Sequence, residues 1–91
     1  MAQANCRVRK GDLPLTITWL FNGVALASEA DTQITGVGAR TSILTLDPVK
    51  GHHQGTYVCI AQNSAGQSEA QASLIVNGTQ RKFKKLVEMG Y

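Results

Sequence analysis

Along most of this chain apolar and polar residues alternate in short runs broken by turn residues. No stretch of the body sustains a 3.6-residue repeat. That rhythm predicts strands. In Ala4-Asn5-Cys6-Arg7-Val8 the apolar Cys6 and Val8 face one way, and Lys10 to Pro14 is a turn by composition. Thr16 to Phe21 is β-branched and aromatic, with Ile17 and Trp19 on one face, and it stops at the hairpin signal Asn22-Gly23. Brief strands are expected near Ala25-Leu26 and over Gln33-Ile34-Thr35. Thr41 to Leu46 directs Leu44 and Leu46 inward and Ile43 outward, with Val49 packing after the Asp47-Pro48 turn. Thr56 to Gln62 puts Tyr57, Cys59 and Ala61 on one face. Beyond the turn at Asn63 to Gly66, Ala70, Ala72, Leu74 and Val76 mark the inner face of a last long strand. About six or seven short strands at this spacing imply a two-sheet sandwich or a barrel.

A chain of 91 residues holds one domain at most, and so small a core profits from a covalent staple. Cys6 and Cys59 lie 53 positions apart, far too wide for a CxxC redox or zinc motif. Bridged, they would close a loop worth about 4 kcal/mol on the chain-entropy model and place the chain in an oxidising compartment. The alternative is a pair of buried free thiols, as in an intracellular muscle-type module.

The net charge of +3 suggests a nucleic acid or a membrane until it is located. Over residues 1–79, Arg7, Arg9, Lys10, Arg40 and Lys50 are balanced by Asp12, Glu29, Asp31, Asp47 and Glu69. The excess belongs to the last twelve residues, through Arg81, Lys82, Lys84 and Lys85. The body is neutral, and nothing in it resembles a basic recognition helix or a groove of stacked aromatics. No nucleic-acid partner is expected. No apolar run is long enough to span a membrane, and Met1 to Asn5 shows no signal-peptide pattern. The expectation is a piece of a longer secreted or membrane-anchored protein.

Four features then arrive in order: Cys6, Trp19, Tyr57 behind Gly55, and Cys59. A disulfide between facing sheets needs bulk beside it, which an indole supplies. A tyrosine two residues before the second cysteine needs a backbone acceptor near the preceding turn. Together they predict an all-β, immunoglobulin-like two-sheet antiparallel sandwich with Trp19, Tyr57, Leu44, Leu46 and Leu74 in its core. The stretch Gly55-Thr56-Tyr57-Val58-Cys59, followed by Ala61, Asn63 and Gly66, resembles the intermediate-set immunoglobulin domains of neural adhesion molecules. Lys10 to Leu15, Trp19 to Gly23 and Ser42 to Val49 are similar to the arthropod Down-syndrome cell adhesion molecule family, Dscam.

Two departures from that pattern stand out. Such domains usually carry Asp two residues before the corner glycine, often paired with an arginine; here His53 stands there, so no such pair from Arg40 carries over. They also begin with a strand, A, upstream of the first cysteine. Only five residues precede Cys6, so most or all of that strand is expected to be missing, leaving unpaired edges that favour aggregation. The domain is placed at residues 3–78. Residues 79–91 form a basic tail expected to be disordered, although Phe83, Leu86 and Val87 fall at helical spacing.

Candidate chemistry is sparse. The serines lack a nucleophile-elbow setting and the carboxylates are scattered, so no catalytic residues, cofactor or small-molecule substrate are expected. His52 and His53 have no third ligand at a plausible spacing; they read as a solvated turn and not as a metal site. Asn77-Gly78-Thr79 matches a glycosylation acceptor, which agrees with an extracellular setting. What the Dscam resemblance implies is a cell-surface recognition module pairing with another copy of the same receptor. Its membrane attachment would come only through the parent protein. Thr18, Leu20, Val58 and Ile60, on the outward face of two central strands, are the candidate interface. The alternatives are a structural spacer domain and an intracellular muscle-type scaffold.

Overall fold

The computed structural model describes residues 1–9 and 11–76, and the backbone of 81–84. Its strands are β1 (Ala2–Arg7), β2 (Thr16–Phe21), β3 (Val24–Ala25), β4 (Thr32–Val37), β5 (Thr41–Leu46), β6 (Gly55–Asn63), β7 (Gly66–Val76) and β8 (Arg81–Lys84). A 3-10 turn, Gly51–His53, joins the β5 side to β6. One sheet runs β1-β5-β4 and the other β3-β2-β6-β7-β8, with every pairing antiparallel. The period-2 pattern sets which side chains meet. β1 and β5 alternate strictly between buried and more exposed positions, so Ala2, Ala4, Cys6, Leu44 and Leu46 turn inward against Trp19, Tyr57, Cys59, Ala61 and Leu74.

Two bonds cross between the sheets side by side. Cys6 and Cys59 are disulfide-bonded, with their Cα atoms 6.3 Å apart. Trp19 lies opposite Cys59 in its sheet, and Ser42 lies opposite Cys6 in the other. The Trp19 indole N–H donates to Ser42 Oγ at 2.9 Å, satisfying the one polar atom that so large a buried side chain carries. The Phe21 and Tyr57 rings extend this packing, with centroids 4.6 Å apart.

Turn chemistry fixes the lower end of the β2–β6 pair. Asn22 adopts φ 49° at the hairpin, and its Oδ1 accepts the Thr56 N–H at 3.0 Å. Gly55 is needed here because a Cβ would fall 2.7 Å from Phe21 Cε1 and 2.8 Å from Asn22 Oδ1.

Two expectations change. Among the described residues β1 ends its sheet, paired on one side with β5. The β7 edge, however, is not left bare: Arg81–Lys84 pairs with Ser73–Val76. Part of the tail expected to be disordered is therefore an edge strand, because pairing satisfies backbone groups that β7 would otherwise present unpaired. Residues 77–80 and 85–91 lie outside the described residues, and with them Leu86 and Val87 of the suggested helix.

The bridge and its neighbours make one prediction. Replacing both cysteines, Cys6→Ala with Cys59→Ala, should lower stability by about 4 kcal/mol, read from urea unfolding beside the parent chain. A loss below about 1 kcal/mol would mean that the Trp19 packing holds the sheets without the bridge.

A candidate protein-binding face and a buried histidine corner

The alternation that sends Trp19, Tyr57 and Cys59 inward sends Thr18, Leu20, Val58 and Ile60 outward. In register Thr18 is opposite Ile60 and Leu20 is opposite Val58, a separation at which side chains touch. The row continues to Ala25 of β3 beside Leu20, and to Gln71 and Glu69 of β7 beside Val58 and Ile60. The structure thus brings all four candidate residues into one patch. Thr18 is exposed, whereas Leu20, Val58 and Ile60 are half-buried. The apolar surface they present is small. Asn77 lies outside the described residues.

The region around His52 and His53 differs from a solvated turn. His53 is buried, and its backbone carbonyl accepts the Tyr57 hydroxyl at 2.7 Å, which is the acceptor the tyrosine motif requires. Its Nδ1 accepts the Lys50 N–H at 2.9 Å. Its Nε2 lies 3.2 Å from Asp31 Oδ2. With Nδ1 acting as acceptor, neutral His53 carries its proton on Nε2 and donates it to Asp31. Thr32 Oγ1 lies 3.3 Å from the other carboxylate oxygen. His52, largely exposed, brings its Nε2 to 3.7 Å from Asp31 Oδ2. Arg40 sits at the opposite end of the sheets, where it donates to the Gly11 carbonyl at 2.6 Å.

Two titrating groups record this arrangement. Burial pushes the Tyr57 phenol up to about 12, and the negative charge of Asp31 adds to the rise. At Asp31 desolvation acts upward, but His53, the Thr32 hydroxyl, its own backbone and His52 together hold the carboxyl below its ordinary 3.8.

Asp31 and Ser42 are the participants that sequence reasoning passed over. Ser42 left a trace, a hydroxyl on the inward face of an otherwise apolar strand. Asp31 left none, since it meets the histidines only through the packing of β4 beside the 3-10 turn.

The inter-sheet disulfide, the indole beside it and the tyrosine corner define an immunoglobulin-type sandwich domain. The Immunoglobulin I-set domain family matches residues 2–76, and the chain belongs to that family, whose members are non-enzymatic modules. It is 45% identical over 78 residues to the cell adhesion molecule Dscam1 of Drosophila melanogaster, covering 85% of this chain and 4% of that protein. It is 39% identical over 71 residues to human cell adhesion molecule DSCAM, covering 78% of this chain and 4% of that protein. The chain therefore spans a small fraction of these relatives' length. Among solved structures it is similar to the Dscam1 Ig7 domain, isoform 9, at 44% identity and a TM-score of 0.78, covering 81% of this chain and 78% of that one. The M1 domain from titin shares the fold at 25% identity and a TM-score of 0.75, covering 87% of this chain and 80% of that one. Among the described residues no helix is long and apolar enough to cross a membrane.

The sign of the Asp31 shift sets an acid dependence. A carboxyl whose folded value is depressed contributes stability that is fully present above the ordinary value of 3.8 and is lost as pH falls below it. Asp31→Asn should be less stable than the parent near neutral pH, and the gap should narrow through that acid range. Thermal midpoints from about pH 6 to pH 2 measure it, and a gap independent of pH would mean that the carboxylate charge contributes nothing.

Proposed function

We propose that this chain is an extracellular recognition module of a cell-surface adhesion receptor, and that it binds protein through the outer face of β2 and β6. The partner is a second copy of the same receptor. The observation that carries the reading is the contiguous row Leu20, Val58 and Ile60 on a solvent-facing sheet, in a domain similar to those of cell adhesion molecules. Sandwich domains offer sheet faces and edges for binding, in place of pockets. The neutral body suits self-association, since identical modules meet without net repulsion. The Cys6–Cys59 bridge fits an oxidising compartment, which supports this reading over an intracellular scaffold. In that setting Asn77-Gly78-Thr79 is an acceptor for a glycan.

A spacer role is the second reading, and the half-buried state of the same three side chains favours it, because little apolar area is left to offer. Beads coated with the full ectodomain separate the two. Aggregation should occur with the parent sequence and fall at least about tenfold with Leu20→Asp and Ile60→Asp together, as expected when charge is forced into an apolar contact. Undiminished aggregation would remove this face as the interface.

A further inference from the structure

We propose that Asp31, His52 and His53 form a binding site for a divalent transition ion of the zinc class. The donors come from two segments that only the fold brings together: Asp31 immediately precedes β4, and the two histidines close the 3-10 turn before β6. His53 Nε2 and His52 Nε2 stand 3.2 Å and 3.7 Å from the same carboxylate oxygen. All three donors fall within 4.8 Å of one another. A tetrahedral zinc ion with ligands at about 2.0–2.1 Å holds its donors about 3.3 Å apart. The two histidine–carboxylate distances are already near that spacing.

The donor types narrow the ion. Two imidazoles and one carboxylate suit zinc or copper(II), whereas calcium and magnesium call for an oxygen shell. Three protein donors leave one tetrahedral position for water or for a donor from a partner. Exposure is graded across the set, with side chains 7% exposed at His53, 24% at Asp31 and 65% at His52. The buried histidine anchors the site and the exposed one takes the ion from solvent.

The hydrogen bonds at His53 set the cost. A metal on Nε2 takes the lone pair there, so the ring proton must move to Nδ1, where it would face the Lys50 N–H. The turn must therefore shift and give up that bond. Losing one partly buried hydrogen bond weakens the ion's affinity by roughly ten- to hundredfold. It also makes the Lys50 amide a reporter of metal binding. Once bound, the ion would fasten the start of β4 to the turn whose carbonyl holds Tyr57.

Calorimetric titration of the full chain with zinc chloride tests the site, alongside amide spectra and thermal midpoints. The expected result is one zinc per chain, a displaced Lys50 amide resonance and a raised midpoint. His52→Ala, which alters an exposed side chain and leaves the Tyr57 corner intact, should weaken zinc at least about tenfold. Asp31→Asn should do the same, with fold checked by the near-ultraviolet signal of Trp19. No binding at millimolar zinc overturns the proposal. So does zinc that binds both variants as tightly as the parent, or that leaves the Lys50 amide unmoved.

Discussion

Four residues form a closed frame across the sandwich, and the rest of the domain is arranged around it. Cys6 and Ser42 face each other in one sheet, and Trp19 and Cys59 face each other in the other. A disulfide joins one pair of corners and an indole–hydroxyl hydrogen bond joins the other. Because the frame spans both sheets, it fixes their separation and their relative slide together. The inward positions of β1, β2, β5 and β6 are then determined by period-2 alternation, with no freedom to slip by one residue. A chain of 91 residues has few other means of holding two small sheets face to face.

The lower end of the sandwich is organised differently, by polar groups. Tyr57, His53, Lys50 and Asp31 make a chain of hydrogen bonds in which each nitrogen or oxygen of the buried histidine has an assigned partner. The same chain explains why Asp31 and Tyr57 titrate in opposite directions. Burial raises the phenol, and the carboxylate charge that the imidazoles stabilise adds to that rise. Here the acid stands just before β4 and the histidine stands in the turn.

The strands around the frame were readable from sequence because alternation, turn residues and the cysteine–tryptophan–tyrosine spacing agree with one another. Thr16–Phe21 and Thr41–Leu46 have the bounds that their patterns indicate. Features that depend on tertiary opportunity were not readable. β8 has a basic sequence with little alternation, and it pairs because β7 presents an open edge. Asp31 looks like any loop carboxylate until β4 carries it to His53. His53 looks like half of a hydrophilic pair, yet its neighbour is exposed while it is buried. The outward row on β2 and β6 was legible in membership, but not in the half-buried state of Leu20, Val58 and Ile60.

Alternation has a further consequence on β2 and β6. Inward and outward side chains come from the same two strands but never from the same positions, so Leu20, Val58 and Ile60 can be rewritten without disturbing Trp19 or Cys59. The two strands act as a printing block whose back is fixed and whose front is open to revision. A scaffold of that kind can vary its outer surface through substitutions that leave its folding almost untouched.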